Sequence, residues 1–229
     1  MPDETWLADA PLYLDRSDTP LVRPSRPMNQ GDVFLDVSIA AAGRGDDKAK
    51  VTIGPVMLLG HPCSIHAGGR VIDTQFVAAV RPKEDATHGR PFDAPWTTHL
   101  YLFPLPGLID GRDYVADFRR VGTTHFKNLD ERRIACLSRE GWAALQRRWA
   151  WHTLRADIPL VTRYADLAGL WNELAIWEEW VRRGNVVSEF TAWRDSEQVS
   201  GSYVGTKRAD LLDFAFDELM EELPSPASP

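Results

Sequence analysis

The sequence predicts an α+β protein in which a small antiparallel barrel or rolled sheet comes first and helices follow. Two observations carry this. Between Gly31 and Val121, five or six short apolar segments within about ninety residues are separated by glycine- and proline-rich loops, the pattern of a small all-β unit. From Ser138 onward the apolar residues recur at helical spacing instead. A chain of 229 residues is long enough to bury a proper core, as one large domain or two small ones.

Residues 1–30, with Pro20, Pro24 and Pro27 closely spaced, read as an extended arm that Trp6, Leu12 and Tyr13 pin to the body. Strands are expected at 33–39, 51–53, 54–59, 73–80, 98–103 and 114–121, and together they define a barrel over 31–125. Residues 40–50, carrying Gly43 and Gly45, form a hairpin loop, and 83–95 a second loop. Pro104 and Pro106 stop the strand that begins at Thr98. A helical region spans 126–223. Ser138 caps a first helix built on Trp142, Leu145 and Trp149, and Pro159 ends the pattern. A second helix over 166–183 carries Leu167, Leu170, Leu174, Trp177 and Val181 on one face, with Gly184 just past its end. Residues 185–205 are a hairpin or a loop, 207–223 a third amphipathic helix, and 224–229 a disordered tail.

Bulk properties narrow the function. The net charge is −7, which argues against nucleic acid unless a local basic patch overrides it. Cys63 and Cys136 lie far apart and make no disulfide framework. The acidic, polar start is no signal peptide, and no apolar run is long enough to span a bilayer, so a cytoplasmic protein without membrane attachment is expected.

The sharpest local feature is the loop His61-Pro62-Cys63-Ser64-Ile65-His66 after the apolar run 54–59. Imidazole and thiolate are zinc ligands, so His61, Cys63 and His66 are weak metal candidates, at a spacing that is no standard zinc signature. Alternatively Cys63 is a nucleophile with His61 or His66 as its base. The plainer reading is a small buried cysteine at a strand end beside two loop histidines. Asp32, Asp36 and Asp73 either join this loop as acid–base partners or cap turns. No cofactor is called for. Arg119, Arg120, Arg147 and Arg148, with Arg132, Arg133, Arg139 and Arg155, make the middle of the chain locally basic: a surface that tracks RNA or DNA phosphates, or a solvated face. Most of the nine tryptophans fall between 142 and 193. Trp171 and Trp180 lie off the main apolar stripe, where they either complete the core or dock a partner protein or a second copy as a homodimer.

Three segments taken together, Gly31-Asp32-Val33-Phe34, Gly54-Pro55-Val56-Met57-Leu58-Leu59 and Val77-Ala78-Ala79-Val80-Arg81-Pro82, resemble the opening of the PemK/MazF-like small barrels. The resemblance implies an SH3-like barrel and a ribonuclease of a toxin–antitoxin or phage-defence system. A second resemblance, over roughly residues 31–155, is to uncharacterised bacterial proteins with a Ser-His-Asp-Cys-Asp type motif, where this chain has Gly60-His61-Pro62-Cys63-Ser64. It brings no established activity. Where the ribonucleases carry arginine before the proline this chain has Gly54, and Arg81 stands where a hydroxyl residue is expected. On this reading Arg81 is the phosphate clamp and His61 the acid–base group. The alternatives are a non-catalytic interaction module using the barrel and the tryptophan-rich helices, and a thiol or metal enzyme on the His61 loop.

Overall fold

Apolar runs with no polar alternation need two covered faces, and the run at 56–59 has them. In the computed structural model, which describes residues 12–14, 25–41, 50–67, 70–87, 99, 101–154, 160–199 and 201–224, Val56 and Leu58 point into one core and Met57 and Leu59 into another. The first core is the barrel interior, shared with Phe34, Val37, Ile39 and Val77. The second lies between the outside of the sheet and a helix that brings Trp142 and Leu145. Period-two side-chain geometry therefore sorts one continuous apolar stretch into two layers.

The elements are β1 (Val33–Ala41), β2 (Lys50–Leu58), a helical turn α1 (Pro62–Ile65), β3 (His66–Ala67), β4 (Arg70–Val71), β5 (Thr74–Pro82), α2 (Lys83–Thr87), β6 (Leu102–Ile109), β7 (Arg112–His125) and β8 (Arg133–Ala135). Helices α3 (Arg139–Leu154), α4 (Leu160–Arg182), α5 (Val187–Asp195) and α6 (Phe216–Glu221) follow. The fold is α+β, as expected. Six strands pair in the order β6-β7-β5-β2-β1-β8, all antiparallel. Ala40 of β1 also meets Thr123 of β7, so β1, β2, β5 and β7 form a partly closed ring with β6 and β8 at its margins. Gly122 sits at that closure: a Cβ there would stand 2.5 Å from the Ala40 carbonyl oxygen, so only glycine lets the strands approach. The β6–β7 hairpin turns on Asp110-Gly111, both at positive φ, the pairing that a two-residue turn matching strand twist requires.

Several boundaries differ from expectation. β6 runs from Leu102 through both Pro104 and Pro106 to Ile109 rather than stopping at them. As a margin strand it has one side without ladder partners, where a missing N–H costs nothing. Residues 187–195 form α5, not a hairpin or loop. The helix expected over 207–223 is instead a 3-10 turn (Arg208–Leu211) and the short α6. Arg133–Ala135 adds a strand beyond the segment read as barrel. Ser138 does cap α3, its Oγ accepting from the Gly141 N–H at 3.0 Å. Gly184 follows α4 at φ 83°. Leu12 and Tyr13 pin the arm, through a bridge between Tyr13 and Leu137 and a Leu14 N–H bond to the Cys136 carbonyl; Trp6 and residues 225–229 lie outside the described residues.

Helix α4 is covered on two sides. Ile176 and Trp180 enter a separate core with Phe190, Leu211, Leu212 and Leu219, and Trp177 and Val181 pack at the edge of that core while also lining a cavity toward the barrel. Trp180 is 3% exposed and donates its indole N–H to the Val186 carbonyl at 2.9 Å, so it belongs to the core and not to a docking face. Trp171 is half-buried, close to Trp142 and beneath the Arg26 guanidinium. No helix among the described residues is long and apolar enough to cross a membrane.

Candidate functional site

The register between β5 and β7 slips at one point: Ala78 faces Val121 but Ala79 faces Asp117, leaving residues 118–120 without partners on β5. In a regular strand, positions i, i+2 and i+3 cannot all face one point. This bulge lets them. Asp117 is fully buried, and Arg119 grips it with both prongs of one guanidinium edge, Nε to Oδ1 and Nη2 to Oδ2, each at 3.0 Å. Arg119 also donates its backbone N–H to Oδ1 at 3.1 Å. Arg81, at the end of β5, brings Nη1 to 3.6 Å of Oδ2, and Arg120 brings Nε to 3.8 Å. Three guanidiniums thus share one carboxylate, a local surplus of two positive charges on a chain that is acidic overall.

The outer two lie beyond hydrogen-bond range of the carboxylate, Arg81 donating Nη2 instead to the Asp85 carbonyl at 3.2 Å, and their side chains are 22% (Arg81) and 61% (Arg120) exposed. Arg119 lies 3.7 Å over the Tyr101 ring, whose hydroxyl is 3.3 Å from His99 Nδ1. Its hydrogen bonds to Asp117 raise its pKa further, so it is a permanent cation. Arg81, Arg119 and Arg120 were each expected as working residues; that they meet on Asp117 beside Tyr101 was not. The local signal was Asp-x-Arg-Arg at 117–120.

The other expected site residues go elsewhere. The Leu59 N–H bonds the Phe76 carbonyl, which fixes the His61 loop near the start of β5. Arg81 is five residues further along that strand, roughly 15 Å away at ~3.3 Å per residue. His61 and Arg81 therefore do not form one catalytic pair. His61 is exposed, and its partial burial lowers its pKa. Cys63 lies in α1, and its side chain is outside the described residues. His66 turns away, with Nε2 2.8 Å from the Met28 carbonyl and its ring 4.9 Å from that of Trp177; burial lowers its pKa, against smaller opposing effects of that bond and of Asp32. Among the described residues no group of three His, Cys, Asp or Glu side chains is placed to hold a metal ion. Arg147 and Arg148 are buried on α3, and Arg148 Nη1 donates to the Leu102 carbonyl at 2.6 Å, so neither extends the basic surface. Asp32 caps the turn at 29–32 and pairs with Arg133, taking the turn-capping alternative.

A second feature has no counterpart in the sequence reading. An open cavity of about 390 Å³ lies where β1, the segment 25–28 and β8 meet α4 and α5, and Arg26, Met28, Phe34, His66, Arg133 and Trp177 are among its walls. Arg133 is fixed by Asp32 at 2.8 Å and by the Arg26 carbonyl at 2.6 Å. No known protein-family model matches the sequence, and no curated protein matches it.

Proposed function

We propose that this protein binds single-stranded nucleic acid, with Arg81, Arg119 and Arg120 as the phosphate-contacting group. The observation that carries the reading is the surplus of two charges around the buried Asp117. Arg119 alone saturates that carboxylate bidentately, which leaves Arg81 and Arg120 cationic toward solvent. Arg119 is 46% exposed with one face laid on Tyr101, so its other face is a platform on which an unpaired base stacks. A strand of this kind suits the geometry better than a duplex, because the platform and one clamp lie side by side on the bulged β7 and the other clamp stands next to them on β5. The resemblance to ribonuclease barrels agrees with an RNA ligand. It does not supply a general base here, since His61 is remote from the cluster.

The test is fluorescence anisotropy of a labelled RNA oligonucleotide against salt concentration. Arg81→Ala and Arg120→Ala should each weaken binding across sequences and reduce the salt slope by about 0.7, the value for one single-strand phosphate contact. Unchanged slopes in both variants, or no binding by the wild type at low salt, would overturn the reading. Arg119 is not the residue to remove first, because its loss leaves Asp117 buried without its main partner.

A further inference from the structure

The cavity between barrel and helices shows water a negative charge. Its two guanidiniums are buried and already paired, Arg26 with Glu178 and Arg133 with Asp32. His66 has Nε2 on the Met28 carbonyl, and burial lowers its pKa, so above neutral pH it adds almost no charge. What remains is Asp130 and Glu131, both exposed, in the turn that leads into β8. Neither makes an ion pair or a side-chain hydrogen bond with a described residue. Arg132, next in the chain, donates to the Asp36 carbonyl instead. Glu131 is held at φ 57°, a conformation that strains an L side chain and that glycine adopts freely. The turn keeps a carboxylate at the rim where glycine would be easier, and strain of this kind gathers at functional positions.

Below the carboxylates the walls that reach solvent are apolar. Met28 of the arm, Val71 of β4 and Val181 of α4 are half-buried, and Val187 of α5 is 39% exposed. Aliphatic and thioether side chains from four separate segments accommodate an apolar body without demanding one shape. The volume, about 390 Å³, falls within the range of small-ligand pockets. Charge then selects the ligand. An anion would meet two carboxylates and, among the described walls, no cation that is not already paired. A neutral apolar molecule would leave both carboxylates unused. An ammonium group on an aliphatic chain uses both features, and its three N–H donors suit acceptor-only carboxylates. We propose that the cavity binds a small organic cation, its aliphatic chain among Met28, Val71, Val181 and Val187 and its ammonium at the Asp130–Glu131 rim. The site shares no residue with the Asp117 cluster, so it and the nucleic-acid site can fail separately.

Calorimetry on the full chain tests it with three probes that share one body and differ in the head: hexylamine, hexanol and hexanoate. Hexylamine should bind at one site, about three- to tenfold more tightly than hexanol, as two exposed charge contacts would give. Hexanoate should bind more weakly than either. Butylamine, shorter by two methylenes, should bind about tenfold more weakly than hexylamine if the chain is buried. The double variant Asp130→Asn/Glu131→Gln should bring hexylamine down to the affinity of hexanol and leave hexanol unchanged. Val187→Trp, which fills the mouth from the exposed wall, should weaken both, with each variant's fold checked by circular dichroism. Hexanoate binding as tightly as hexylamine, an unchanged hexylamine affinity in the double variant, or a Val187→Trp variant without effect would each overturn the assignment. So would the absence of hexylamine binding at millimolar concentration; binding of N-acetyl-lysyl-leucinamide in that case would make the cavity a docking site for a basic protein segment instead.

Discussion

Arg133 and Asp32 meet at 2.8 Å across 101 residues of chain, one at the mouth of β1 and the other on β8, with both side chains under a tenth exposed. Arg133 also donates to the carbonyls of Arg26 and Pro27, so one guanidinium fastens the incoming arm, the first strand and the last. Removing one partner of such a buried pair leaves the other charged and dry. Asp32→Ala is expected to lower stability by about 3–5 kcal/mol, measured by urea unfolding. A loss under 1 kcal/mol would mean that the pair is not closed in solution.

Cys136 lies against the same pair. Burial, and next the Asp32 carboxylate, drive its thiol pKa far above the ordinary range. Thiolate is the reactive form, so native Cys136 is expected to resist thiol reagents at pH 8 and to react fully in denaturant. The experiment is done in a Cys63→Ala background so that one thiol is counted. Rapid native labelling would contradict the burial.

The same logic run on an imidazole gives a pH dependence. Burial holds the pKa of His66 below its ordinary 6.5, so the unfolded chain takes up this proton before the folded one does. Above pH 6.5 His66 is neutral in both states and costs nothing; as pH falls from 6.5 through its folded pKa, stability is lost. His66→Phe should flatten the stability profile between pH 6.5 and about 5, above the range in which most carboxylates titrate. His61 shares the direction of shift, so a residual slope remains. An unchanged profile would show His66 to be solvated.

Trp180 is packed against Phe190 and Trp193 at ring separations of 5.7 and 5.6 Å. Trp180→Ala should cost about 3–5 kcal/mol by thermal or urea unfolding, as for other large-to-small core changes. A neutral variant that loses self-association would restore the docking role for this residue.

What was legible in the sequence follows from locality. The Ser138 cap, the Gly184 stop and the Asp110-Gly111 turn each act over a few residues, and the strand-then-helix order follows from periodicity. The proline-containing β6 was truncated in the reading because its tolerance for proline depends on its place at the margin of the sheet, which no local window contains. Periodicity leaves Trp180 open between core and docking face because α4 is buried on two sides, and a single apolar stripe describes such a helix poorly; its burial settles the choice for the core. At the site, the cations at 81, 119 and 120 were visible as residue types. Their convergence depends on a register slip between two strands, and Arg26 depends on a helix 152 residues away.

The Asp32–Arg133 tie also sets a schedule. A chain leaving the ribosome presents β1 with its carboxylate long before the counter-ion exists, and the strand that closes the ring against β1 ends only eight residues before Arg133. The ring and its lock therefore become available almost together, just after the chain has passed its midpoint. Expressed alone, the stretch 31–125 would contain every strand of the ring and neither Arg133, nor the α3 face that covers it, nor the arm residues that Arg133 holds. A fragment that keeps these contacts is wider than the barrel: it begins with the arm and runs through α3.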